Sequence, residues 1–252
     1  MLPYFVKYGA REHVRNFFQR GAVQVGTVRA YDQATFGDRV GDDDEGFSRQ
    51  AIHDGNIAEH RAAGYPEPGV SGFSAFGPGS YGNLVMVTNL CHNYAIYPVS
   101  MCLHKELCQN FHETYDAAIV IFEPFVFFQA ITSAFAASGQ TEGVEFRHVR
   151  PINYRSRDIG PGEFLQEEFI KDPQYQHQCE VRASWMIGNP TQRFYRFDAP
   201  WARWQCLPLL LEDMPNYEPG SPRELIDDQI RRAFESGDQR QRDSEWSVMA
   251  DV

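Results

Sequence analysis

The sequence predicts an α+β fold, a single domain of mixed or antiparallel sheets with a few flanking helices. Three observations lead there. Short stretches rich in β-branched and aromatic residues recur along the chain, helical patterns are few, and neither a repeat nor a linker divides the sequence. At 252 residues, 42% of them hydrophobic, the chain can bury a core. The domain is expected over residues 1–235, with a polar tail at 236–252.

Residues 4–8 (YFVKY) read as a strand that Gly9 breaks. Residues 10–19 place Val14, Phe17 and Phe18 at helical spacing, and Gly21 is a stop signal. Residues 22–31 return to a strand, with Val23, Val25 and Thr27 alternating, so Lys7, Tyr8 and Tyr31 fall near strand ends. The acidic run at 37–46 reads as a solvated turn, since its glycine and glutamate lack calcium-loop spacing. Residues 64–82, dense in glycine, proline and aromatics, predict a long irregular loop.

Strands are expected at 84–90 and 94–100, and the apolar run at 117–122 reads as a buried strand. Glu123-Pro124 opens a helix that continues to about Ala136, with proline in its first turn. Residues 144–154 alternate as a strand, a short helix is expected within 160–171, and Pro173 ends it. Further strands are expected at 177–187, 192–198 and 205–211, and an amphipathic helix at 224–235.

Charge and cysteines narrow the function classes. A net charge of −11 argues against a general DNA-binding surface, although it leaves room for a local basic groove. No apolar run is long enough for a membrane helix, and the N-terminus has no pattern of a secretion signal. Five unevenly placed cysteines read as free thiols in a reducing cytoplasm. Cys102, His104, Cys108 and His112 match no standard zinc spacing, so no metal site is expected. No GxGxxG follows a strand, which argues against a dehydrogenase.

The stretch Gln178–Trp185 carries the best candidate for chemistry. Glu180 and Arg182 alternate with Cys179, Val181 and Ala183, which predicts a strand with one buried face. The glutamate and arginine then share a side, about 7 Å apart. That arrangement serves either a structural ion pair or a catalytic carboxylate beside a cation.

The segments YFVKY, EHVRNFFQRGAVQVGTVRAYD, DDDEG, NYAIYPVS, DAAIVIFEPFVFFQAI and CEVRASW resemble the DUF2971-type family over roughly residues 4–187. The chain departs from that family's pattern at residues 42–46, and at Tyr97-Pro98, where the family shows a cysteine before its serine. The order of elements is in turn similar to the ADP-ribosyltransferase superfamily. That resemblance implies NAD as the substrate and a catalytic set of Glu180, Gln178 and Tyr31, with Tyr31 stacking on the nicotinamide. Lys7, Tyr8 and Arg182 would contact the dinucleotide, with Lys7 or Tyr8 at the first-strand position.

The expectation is therefore an NAD-dependent ADP-ribosyltransferase-like enzyme in the cytoplasm, transferring to a macromolecule or hydrolysing NAD, with phage defence or toxin action as its setting. A non-catalytic sensor or interaction domain, with Glu180 and Arg182 purely structural, is the alternative. A metal-dependent nuclease using the acidic run at 42–45 with Glu180 is a third.

Overall fold

A computed structural model describes residues 4–31, 48–52, 84–88, 93–159, 166–188, 190–214 and 216. The acidic run at 37–46, the stretch at 64–82 expected as a loop, the helix expected at 224–235 and the tail at 236–252 all lie outside the described residues. The described chain is mixed α and β. Its central feature is an eight-stranded, wholly antiparallel sheet.

In chain order the strands are β1 (Phe5–Gly9), β2 (Ala22–Thr27), β3 (Ser48–Ile52), β4 (Leu84–Thr88), β5 (Tyr94–Ser100), β6 (Ala117–Ile121) and β7 (Glu145–Pro151). They continue as β8 (Asn153–Tyr154), β9 (Asp158–Ile159), β10 (Ile170–Lys171), β11 (Glu180–Met186), β12 (Phe194–Asp198) and β13 (Cys206–Leu210). The helices are α1 (Arg11–Arg20), α2 (Lys105–Phe111) and α3 (Pro124–Ala137). β3, β4 and β9 make a small separate sheet, and β8 pairs with β10 in parallel.

The large sheet is forked. One edge of β5 pairs along its whole length with β11, which pairs in turn with β7. The other edge is shared. β2 pairs with β5 only at Ala95 and Ile96 and leads to β12, while β1 pairs only at Ser100 and leads to β6 and β13. Between those contacts no described strand lies beside Tyr97, Pro98 and Val99 on that edge. A proline donates no ladder bond, so mid-strand proline belongs where the strand is locally an edge. Pro98 meets that condition at the fork, and Pro208 meets it on the outermost strand β13.

Both faces of the sheet are covered. On one, α1 buries Val14, Phe17 and Phe18, and α3 buries Phe127, Phe128, Ile131 and Phe135 against Phe5, Val25, Val99, Val181 and Trp185. Full burial of each such side chain is worth roughly 1.5–3 kcal/mol. On the other face Val6, Tyr8, Val120 and Leu209 pack with Leu103, Leu107 and Cys108 around α2. His104, one of the four residues without zinc spacing, caps α2: its Nδ1 accepts a hydrogen bond from the Leu107 N–H at 3.0 Å. Among the described residues no three His, Cys, Asp or Glu side chains stand together as a metal site. Nor is any described helix long and apolar enough to cross a membrane.

Several elements differ from expectation. β2 stops at Thr27, and Val28–Ala30 form a 3-10 turn that delivers Tyr31, so Tyr31 is not a strand end. The described part of 160–171 contains a 3-10 turn, Glu167–Phe169, followed by β10, in place of a longer helix. Pro173 begins a 3-10 turn, Pro173–Gln178, where it was expected to stop a helix. That turn takes Gln178 off the strand, and β11 starts at Glu180. β11 is also buried from Glu180 to Trp185 on both faces, where one buried face was expected.

Gly21 ends α1 with φ of 80°, and its N–H donates to the Phe17 carbonyl at 2.7 Å. A Cβ there would lie 2.5 Å from the Ala199 backbone. Gly21→Ala therefore combines left-handed strain with a backbone clash, and chemical denaturation should show a loss of more than about 1 kcal/mol.

Candidate functional site

The fork opens a cavity of about 750 Å³ between the arms of the sheet. Strand register sets which side chains face each other across it. Glu180 stands opposite Ser100, and Ser100 opposite Val6. Because side chains alternate along a strand, Val6, Tyr8, Ser100, Glu180 and Arg182 share one face, and Phe5, Lys7, Val99 and Val181 take the other. All six residues singled out from the sequence, Lys7, Tyr8, Tyr31, Gln178, Glu180 and Arg182, line this cavity. They hold different positions within it.

Glu180 is the centre of a buried ion cluster. Its Oε2 accepts from the Lys171 ammonium at 3.1 Å, and its Oε1 accepts from Nε of Arg182. Lys171 also donates to Oε1 of Gln178 at 2.9 Å, and its ammonium sits 4.8 Å from the centre of the Tyr175 ring. Arg182 donates through Nη1 to the Glu168 carbonyl at 2.7 Å. Glu180, Lys171, Arg182 and Gln178 are each no more than 5% exposed. Burial pushes the Glu180 carboxyl up, but the charges and hydrogen bonds of Arg182 and Lys171 outweigh it and hold the group down at about 2.

The backbone is fixed as firmly. The Glu180 N–H donates to the Tyr154 hydroxyl at 2.8 Å, and the Ser100 hydroxyl donates to the Gln178 carbonyl at 2.8 Å. Gln178 thus reaches the cluster from the turn before β11, through Lys171. Cys179, between them, has φ of 46°, the one positive value among the described non-glycine residues. Holding a cysteine there costs of order 1–3 kcal/mol.

Lys7 and Tyr8, expected as alternatives for one position, sit on opposite faces of β1. The Lys7 ammonium donates to the Pro98 carbonyl at 2.9 Å and lies 4.8 Å from the centre of the Tyr97 ring. It takes the place of the strand donor that the fork removes. Burial lowers its pKa to about 8, against a partial rise from the charge of Glu180. The Tyr8 hydroxyl donates to the Cys102 carbonyl at 2.8 Å and accepts from the His104 N–H at 3.1 Å, so both of its polar functions serve the backbone. The Tyr31 ring lies against the Gly26 backbone, where a Cβ would come within 2.6 Å of it, and it meets Phe194 edge-on at 6.0 Å between centroids.

The cavity is cationic within an acidic protein. Lys7, Arg20, Lys171, Arg182 and Arg196 line it, against the carboxylates Glu180 and Asp198. Arg20 approaches Asp198 at 3.8 Å, while Arg196 donates to Gln24 at 2.8 Å. Tyr8, Tyr31, Tyr97, Phe111 and Tyr115 supply aromatic walls. Such a lining suits a ligand with planar rings and negative charge.

The sequence reading missed Lys171, Ser100 and Tyr154. Lys171 sits on a two-residue strand, too short to show a period. Ser100 had a signal, since register with Glu180 follows once β5 and β11 are paired. No family model, curated protein or solved structure matches this chain.

Removing Glu180 leaves two buried cations facing each other, whereas removing Lys171 leaves a neutral Glu180–Arg182 pair. Glu180→Gln should therefore destabilise the fold by about 3–5 kcal/mol, and Lys171→Met by clearly less, in urea melts. The pH dependence has a definite sign. A depressed carboxyl pKa contributes fully above the ordinary 4.5, and its contribution fades as pH falls toward about 2. Melts across that window should show a loss of stability in the wild type that Glu180→Gln lacks.

Proposed function

We propose that this chain is an NAD-consuming, ADP-ribosyltransferase-like enzyme, transferring ADP-ribose to a macromolecule or to water, with the forked-sheet cavity as its dinucleotide site. The observation that carries the reading is the meeting of Gln178 and Glu180, two residues apart at the start of β11, with Tyr31 and Tyr8 from distant segments, in one cationic, aromatic-walled cavity. Packing alone does not require a carboxylate and a net positive charge at such a place.

In this reading Glu180 is the catalytic group. Cleavage of the nicotinamide–ribose bond develops oxocarbenium character, and a fixed carboxylate stabilises it. Each Glu180 oxygen accepts from one cation and keeps capacity for a second hydrogen bond, suited to a ribose hydroxyl. Arg182 and Lys171 keep the carboxylate ionised and aimed, and Gln178 orients Lys171. Tyr31 offers an aromatic wall for the nicotinamide. Lys7, through its charge, favours the anionic half of the dinucleotide. The resemblance to the DUF2971-type family belongs to the same proposal, as do the cytoplasmic setting and a role in phage defence or toxin action.

A second reading has its own observation. Both Glu180 oxygens are already engaged by buried cations, as in a structural cluster, and the cavity would then sense a nucleotide without turning it over.

Incubation with NAD separates the two. The enzyme reading expects free nicotinamide from the wild type. It also expects a rate roughly a hundredfold lower or more in Glu180→Asp, which keeps the charge but withdraws it. A wild type that shows an NAD-dependent rise in Tm but releases no nicotinamide supports the sensor. A Glu180→Asp variant with the wild-type rate removes Glu180 from the chemistry.

A further inference from the structure

We propose that Cys102 and Cys179 form a peroxide-reactive pair that closes to an intramolecular disulfide at the foot of β11. The backbone already holds the two segments together. Met101 donates its N–H to the Cys179 carbonyl at 3.0 Å. The Ser100 hydroxyl donates to the Gln178 carbonyl at 2.8 Å and accepts from the Cys102 N–H at 3.1 Å. The two thiols stand near enough to influence each other's ionisation, the Cys179 thiol also turns toward the His177 carbonyl at 3.8 Å, and both cysteines are free and partly exposed.

The other described cysteines contrast with them. Cys108 and Cys206 are buried, which keeps oxidant from their thiols, whereas Cys102 and Cys179 are partly exposed. Selectivity follows from that difference and from the chemistry of the pair. The neighbouring Cys102 thiol draws the Cys179 thiol down to about 7, against the opposing effect of burial, and Cys102 is raised in turn. Cys179 is then the thiolate that reacts, and Cys102 the thiol that resolves.

The reaction balances with hydrogen peroxide as oxidant. The Cys179 thiolate attacks one peroxide oxygen and the O–O bond breaks. The departing hydroxide takes up the proton released on thiol ionisation and leaves as water, with Cys179 as a sulfenic acid. The Cys102 sulfur then attacks the sulfenyl sulfur, the S–O bond breaks, and the departing hydroxide leaves with the Cys102 proton as a second water. Two thiols are oxidised and one peroxide is reduced. The new bond ties the turn between Gln178 and Glu180 to the strand end that carries Ser100.

The test treats the pre-reduced full chain with hydrogen peroxide and maps its peptides without reductant. The expected result is a Cys102–Cys179 peptide, reversible by dithiothreitol, with two of the five thiols lost. Cys179→Ser should lose thiols about tenfold more slowly. Cys102→Ser should stop at a sulfenic acid that dimedone traps on Cys179. A dominant linkage between other cysteines, or no linked peptide in the wild type, would overturn the proposal. So would a Cys179→Ser variant oxidised at the wild-type rate.

Discussion

Lys171, Glu180 and Arg182 place two positive charges and one negative charge where almost no water reaches them. That cluster decides how one half of the molecule is arranged. Arg182 and Glu180 come from one strand, Lys171 from a two-residue strand, and the cluster extends to Gln178 in a turn and to the Glu168 carbonyl. The Tyr154 hydroxyl, on the neighbouring segment, receives the Glu180 N–H. Removing ions from water is expensive, and apolar side chains of the same volume can give equal stability. What apolar residues cannot supply is the residual charge. The cluster gives the cavity a sign, and it fixes the register of short segments that have too few backbone bonds to fix themselves.

The sign is opposite to that of the whole chain. A net charge of −11 is an average over the sequence, and it says little about a concave site in which low-dielectric walls focus the local field. An acidic exterior repels bulk polyanions such as DNA, while the cavity attracts a small anionic ligand. Both properties accord with the proposed dinucleotide better than with a nucleic-acid strand.

Elements with a strong local period were legible in the sequence. α1 and α3 announce themselves through helical spacing and through Gly21 and Pro124, and β6 through five successive apolar residues. The strand carrying Glu180 was legible too, along with the shared side of Glu180 and Arg182. The burial of both its faces was not, because alternation of polar and apolar residues normally marks a solvated side, and here the polar side is dry. Lys171 left no trace, since its importance comes from a partner nine positions away across a turn. The choice between Lys7 and Tyr8 required register, which a single strand does not contain. The fork was written in the sequence as Pro98, in the middle of a strand, although its meaning depends on which strands meet there.

That proline has a mechanical consequence. Along an ordinary antiparallel seam, prising two strands apart breaks backbone bonds in succession, and the seam resists as a zip does. At Tyr97–Val99 the seam was never closed. Among the described strands the arms β2–β12 and β1–β6–β13 pair with β5 at short contacts on either side of the gap, with the Lys7 ammonium on the Pro98 carbonyl as a latch. Changing the width of the cavity at that gap therefore breaks fewer ladder bonds than opening a paired stretch of the described sheet. A bulky guest entering at the gap would displace the Lys7–Pro98 hydrogen bond while the described ladders on either side stay paired.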